Sequence, residues 1–295
     1  MGIFAMLARI LVTFALMLAL VAFPGASSAQ KKKDKKDPKP KENQETSLSM
    51  LSLEVTALQG LHRFQITQQQ MEALKKTLGD VSENSDKRQP GKGSDKVRKR
   101  LIDLRDALVE GDGERIADLE EKLADLLDEE EPDLDDRIKV APEAVKQGAA
   151  FLRMLRPAQI VSYLGESSEE LPDPLQTLLD VFEVVGESKD DEWNGLVDQI
   201  VEETRWQLGG LDLKKNDAIA LKVRQFLKKV RTTSEKKKLD DERANLEKEA
   251  QQLVAATPPT VILNHIVEHA VAELFANPAL SQALNAHLEK KTEKE

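Results

Sequence analysis

His265, Glu268 and His269 stand in the stretch His-Ile-Val-Glu-His, whose residue types and spacing suit metal chemistry. Histidines at i and i+4 share a helix face and can chelate one cation. A glutamate beside them can act as base toward a metal-bound water. Glu273 lies one turn further along the same face and can supply a third ligand. A peptidase of this pattern also needs a carboxylate from a helix far downstream, and 26 residues follow His269. As a metal site the pattern would be a zinc or copper chelate of the metal-sensing kind, not a peptidase, and that is the alternative. The expectation is that no metal is bound. His269 aligns with Ile262 and Ile266 at helical spacing, as a partly buried histidine with a hydrogen-bonded ring does.

Other chemistry is missing from the pattern. The chain has no cysteine, which removes thiolate catalysis and cysteine-ligated zinc. Gly91 and Gly93 lack the flanking strand and spacing of a phosphate loop, and no Gly-x-Ser-x-Gly elbow occurs. The acidic run Asp128–Asp136 is interrupted by Pro132 and Leu134 and reads as a solvated helix end. No catalytic residue and no cofactor are expected.

A second pattern is Ile66-Thr67-Gln68-Gln69-Gln70, opening a helical run. It reads as a capping box: the Thr67 hydroxyl accepts from an amide three residues on, and the Gln70 side chain reaches back to the Thr67 N–H. Leu155-Arg156-Pro157-Ala158-Gln159 echoes it 89 residues later. The pair resembles the repeated Leu-Thr-x-x-Gln motif of the CpxP/Spy group of bacterial periplasmic chaperones and their metal-sensing relatives. The resemblance covers about residues 60–165 and implies an exported, all-α, client-binding protein. Two substitutions depart from the motif, Ile66 for leucine and Arg156 for threonine, and the second deletes the capping oxygen. The acidic body also differs from the basic and apolar cradle that the resemblance implies.

The elements that position these residues begin with the amino terminus. Met1–Ala29 reads as a secretory signal, with Arg9 before the apolar run Ile10–Phe23, a break at Pro24-Gly25, and small residues ahead of a cleavage between Ala29 and Gln30. An uncleaved anchor is the alternative, although the apolar core is shorter than the roughly 20 residues a span needs. Residues 30–47 carry seven lysines from Lys31 to Lys41, two prolines and no apolar residue before Leu48, the composition of a disordered tether. That cluster suits an anionic envelope surface. Net charge is −10, and because the first 42 residues carry +5 the rest carries −15, which disfavours nucleic acid.

From Leu48 onward the apolar residues recur at helical spacing, and no stretch alternates long enough to make a strand. The fold class is all-α, a bundle of about ten helices in hairpins. Aromatic residues make up only 4% of the chain, so the core rests on aliphatic side chains with Trp193 and Trp206 as its largest pieces. The pattern predicts an αα-hairpin over 95–130 that turns at Gly111–Gly113. It predicts a helix from Pro157 that stops at Gly165. A charged hairpin over 214–255 follows, with coiled-coil stripes through Ala218, Leu221, Phe226 and Val230 and through Leu239, Leu246 and Leu253. Residues 82–94 read as a disordered linker. The chain exceeds a usual single domain, and two serial halves are expected, 48–171 and 172–295.

These readings converge on an exported, non-enzymatic binding protein that engages a protein partner or unfolded client, with a homo-oligomer as a further possibility. The alternative is a metal-responsive envelope protein using His265 and His269.

Overall fold

The computed structural model describes residues 46–78, 91–135, 138–166, 173–186 and 188–292. The expected signal, the cleavage site at Ala29–Gln30, the lysine cluster and the linker as far as residue 90 lie outside them, as does the expected boundary at 171–172. The described residues form twelve α-helices, with no named strand among them. Their chain order is α1 (Leu48–Arg63), α2 (Gln68–Leu78), α3 (Asp95–Glu110), α4 (Gly113–Glu130), α5 (Pro142–Leu152), α6 (Pro157–Glu166), α7 (Pro174–Val184), α8 (Asp190–Gly209), α9 (Leu213–Glu235), α10 (Leu239–Val254), α11 (Pro259–Ala276) and α12 (Leu280–Thr292). None of these helices is long and apolar enough to cross a membrane.

Proline and small polar residues set the helix starts. Pro142, Pro174 and Pro259 occupy the first turns of α5, α7 and α11, where a missing N–H costs nothing. Ser94, Asp112 and Asp212 accept amide hydrogens at the starts of α3, α4 and α9. Between α3 and α4, Gly111 adopts φ 73°, and its N–H returns to the carbonyls of Ala107 and Leu108. That left-handed residue closes the expected hairpin.

The chain divides into two compact units that are not serial halves. The first takes α1 as far as Gln59, then 78–137 and the chain from Pro278 onward. Leu51, Leu101, Leu104, Leu108, Leu123 and Leu284 are buried in it. Glu54 on α1 is 1% exposed; it pairs with Arg105 on α3 and accepts from Gln282 on α12, so one carboxylate ties three helices. Burial pushes the Glu54 carboxyl up, and Arg105 offsets part of that. The end of the expected disordered linker is ordered: the Lys92 N–H donates to the Asp133 carbonyl, and Ser94 caps α3.

The second unit comprises residues 60–77 and 138–277. The expected boundary at 171–172 has this unit on both sides, because α6 and α7 belong to it together. One core cluster joins α7 to α10 through Leu178, Phe182, Trp193, Phe226, Leu227 and Leu246. A second, tighter contact joins α5 to α11. Gly148 there lies so close to the Ala272 backbone that an added Cβ would sit 3.2 Å from it, and Phe151 meets Phe275 edge-on at 5.6 Å.

The predicted coiled-coil stripes need correction. Leu221 is 59% exposed and Ala218 is exposed, while Val223 and Leu227 are buried in their place. The helix meets α8 as well as α10, so its apolar stripe is rotated toward a groove and not toward a single partner. Leu239, Leu246 and Leu253 pack into the same core, so they are occupied inside the chain. The helix expected to stop at Gly165 runs through it to Glu166, and α10 begins at Leu239 instead of Ser234 because Lys237 takes a positive φ of 54°.

Candidate functional site

Both sequence patterns lie in the second unit. Thr67 and Gln70 form the expected cap at the start of α2. The Gln70 amide N–H donates to Thr67 Oγ1 at 3.3 Å, and the Thr67 N–H donates to Gln70 Oε1 at 2.9 Å. The same reach-back occurs at the start of α6, where the Arg156 N–H donates to Gln159 Oε1 at 2.9 Å. With no hydroxyl at residue 156, only one arm of the box survives there.

The two motifs also meet. Gln70 and Gln159 are 8% and 6% exposed, and their amides lie 3.0 Å apart. Gln70 Nε2 donates to the Met154 carbonyl at 2.9 Å. Gln159 Nε2 donates to the Gln65 carbonyl at 3.0 Å and reaches the Phe64 carbonyl at the same distance. Residues 65 and 154 stand in the same 89-residue relation as the glutamines, so the arrangement repeats itself about a local two-fold. Each glutamine caps its own helix through Oε1 and satisfies the opposite turn through Nε2. A primary amide with two acceptor lone pairs and two donors suits this double task. Tyr163 completes the junction by stacking on Phe64 with centroids 4.2 Å apart.

The histidine pattern is arranged differently from a chelate. His265 Nδ1 lies 2.9 Å from the Gln207 carbonyl, one of the last carbonyls of α8, so the ring caps that helix end. Glu268 accepts from the Leu211 N–H at 3.3 Å, just past it. Both fit because Gly210 has φ 60° and no side chain; a Cβ there would collide with the His265 ring and the Glu268 carboxylate. His269 is turned elsewhere. Its ring stacks on Trp206 at 4.5 Å, and its Nε2 lies 3.7 Å from Glu273 Oε1. Among the described residues no group of three or more His, Cys, Asp or Glu is placed to hold a metal ion.

Burial governs the protonation of that pair. The His269 and Glu273 side chains are 15% and 10% exposed. Burial, with Arg205 nearby, lowers the imidazole to about 3, and burial, with Glu202 nearby, raises the carboxyl to about 8. Near neutral pH burial therefore favours the uncharged form of both groups. Glu202 on α8 accepts from Trp206 Nε1 at 2.9 Å and pairs with Arg205. Burial also raises the Glu203 carboxyl, against a hydrogen bond from Gln207.

The outer side of α6 was not singled out by sequence reasoning. Gln159 and Tyr163 face inward, leaving Pro157, Ala158, Val161 and Gly165 outside. Val161 is 68% exposed, and no charged residue occurs between Arg156 and Glu166. The signal was available in that uncharged stretch, which is longer than one glutamine anchor requires.

Comparison with known proteins found no match: no family model, no curated protein and no solved structure is similar to the chain.

Proposed function

We propose that this is an exported, non-enzymatic binding protein related to the Leu-Thr-x-x-Gln group, and that the outer face of α6 takes an apolar segment of another polypeptide. The observation that carries this reading is the uncharged α6 face with Val161 at its centre. The equivalent positions on α2, 89 residues earlier, are Gln68, Gln69, Glu72 and Lys76, a water-facing set. The fold therefore accepts a polar surface at this place, and packing does not require the apolar one. A single apolar helix face is also the scale on which short segments are recognised through side-chain anchors.

The test is suppression of aggregation of chemically denatured clients by the full chain. Protection at near-stoichiometric ratio is expected, and Val161→Glu is expected to abolish it with helicity unchanged. Failure across several unrelated clients, or full activity in Val161→Glu, overturns the reading.

A further inference from the structure

The exposed side of α9 is basic on a chain that is otherwise acidic. Residues 213–238 hold ten lysines and arginines against two acids, in a protein whose net charge is −10. α9 runs unbroken from Leu213 to Glu235, so helix geometry fixes which of these share a face. Asn216, Val223, Phe226, Leu227 and Val230 are buried and mark the inner side. Opposite them, Lys214, Ala218, Leu221, Gln225 and Lys228 form an exposed crest. Lys215, Lys222 and Lys229, also exposed, follow at seven-residue intervals along one flank. No carboxylate stands at any of these positions. Asp217, the one acid of α9 before Glu235, lies on the other flank with Arg224.

The neighbouring helices leave most of that charge unanswered. α9 packs against α8 and α10. Arg224 pairs with Asp198 of α8 at 2.9 Å, and Lys229 with Glu249 of α10 at 2.5 Å. Among the described residues, Lys214, Lys215, Lys222 and Lys228 have no ion-pair partner. The Lys229–Glu249 pair sets the register of the hairpin, so Lys222 and Lys215 run on past the last charge of α10. No Lys, Arg, Asp or Glu occurs between Glu249 and Glu268. Nor does the helix itself call for these lysines. Lys214 and Lys215 sit in its first turn, the positive end of the dipole, where a cation is unfavourable. The cations of α3 are placed otherwise, since Lys96, Lys99 and Arg100 line one groove with Asp103, Asp125 and Glu129.

The occupant follows from the spacing. Lys214 and Lys228 are about 21 Å apart along the axis at the helical rise, so the four free ammonium groups are sparse. A duplex polyanion carries a charge every ~1.7 Å, and most of its phosphates would lie over Ala218, Leu221 and Gln225. Anionic lipids diffuse laterally and gather at sparse cations. Long lysine stems let the crest and the flank reach one plane. Leu221 alone offers too little apolar surface for insertion, so the attraction is electrostatic. The acidic remainder of the protein is screened beyond about 8 Å at physiological salt.

We propose that the crest and flank of α9 dock on an anionic lipid bilayer through Lys214, Lys215, Lys222 and Lys228. The inference draws on no residue of α6 and does not rest on the binding reading.

The experiment is cosedimentation of the full chain with vesicles of phosphatidylcholine, alone or mixed about two to one with phosphatidylglycerol. In every chain compared, the seven lysines from Lys31 to Lys41 are changed to glutamine, so that the amino-terminal cluster adds nothing; that chain is the reference. Each lysine near a charged surface is worth roughly fivefold in partition. The reference should therefore prefer the anionic vesicles by on the order of several hundredfold, and high salt should erase the preference. The combined Lys214→Gln, Lys215→Gln, Lys222→Gln and Lys228→Gln chain should lose it, and Lys222→Gln or Lys228→Gln alone should weaken it roughly fivefold. Lys96→Gln, Lys99→Gln and Arg100→Gln together should leave it unchanged. The proposal is overturned if the reference shows no preference, if the preference survives the fourfold change, or if the α3 change weakens it as much. Loss of polyphosphate binding in the fourfold variant with vesicle partition intact would assign the ridge to a soluble polyanion and overturns it too. If the fourfold variant loses helicity, the single variants decide.

Discussion

The starts of α2 and α6 are the same structure built twice, with the outside of one written in charge and the outside of the other in hydrocarbon. At both, a glutamine side chain accepts the amide three residues back and donates across to the opposite turn. At both, the preceding aliphatic residue is buried, Ile66 at 5% and Leu155 at 7% exposure. Beyond the buried side they diverge: Gln69, Glu72 and Lys76 occupy the places held on α6 by Ala158, Val161 and Gly165. The inner half of each copy is held by an amide network that tolerates little change. The outer half is exposed, and its composition differs between the two copies.

The largest way to break this comparison is to remove one glutamine. Gln159→Ala strands the carbonyls of Phe64 and Gln65 and unpairs Gln70, and is expected to cost about 3 kcal/mol. Gln70→Ala strands the Met154 carbonyl and unpairs Gln159, and is expected to cost about 2 kcal/mol. Because they share bonds, the double variant should fall short of the summed losses by about 1 kcal/mol in urea denaturation. Strictly additive losses would mean that the two motifs are separate caps that happen to lie side by side.

A smaller effect sharpens the difference at residue 67 against residue 156. Thr67 supplies the second arm of its capping box and Arg156 does not. Thr67→Ala should therefore destabilise by about 1 kcal/mol, and Arg156→Thr should stabilise by a similar or smaller amount. Thermal melts of the two variants check both signs. A destabilised Arg156→Thr would show that the arginine has replaced the cap with a contact of its own.

Helix positions were readable because their signals are local. Prolines open α5, α7 and α11, serine and aspartates cap α3, α4 and α9, and Gly111 closes a hairpin. Gly165 misled because glycine only weakens a helix, by about 1 kcal/mol, and ends one when it takes a left-handed conformation. Leu221 misled because a stripe assigned from spacing assumes one partner, and α9 has two. The sequence pattern foresaw the cap at Thr67 and Gln70 but not the pairing of Gln70 with Gln159, since a bond across 89 residues leaves no mark in either pentapeptide. The histidine spacing was read correctly as one helix face. What spacing does not carry is ring direction, set here by the end of α8 for His265 and by Trp206 for His269.

The smallest expected change in stability tests whether the hydrocarbon on α6 has a use. Val161 and Leu221 are exposed to a similar degree, 68% and 59%. Leu221 is followed by Lys222 and flanked on its helix by Asp217 and Lys228, the setting of a scattered surface hydrophobe. Val161 sits among Pro157, Ala158 and Gly165 with no charge for four residues on either side. Glutamate at either position should move the urea midpoint by no more than the equivalent of about 0.5 kcal/mol, since neither side chain is buried. Only Val161→Glu should abolish client protection, and Leu221→Glu should match the wild-type chain. Equal loss in both variants would assign the effect to added negative charge on an acidic protein, and the contrast between α2 and α6 would then carry no functional meaning.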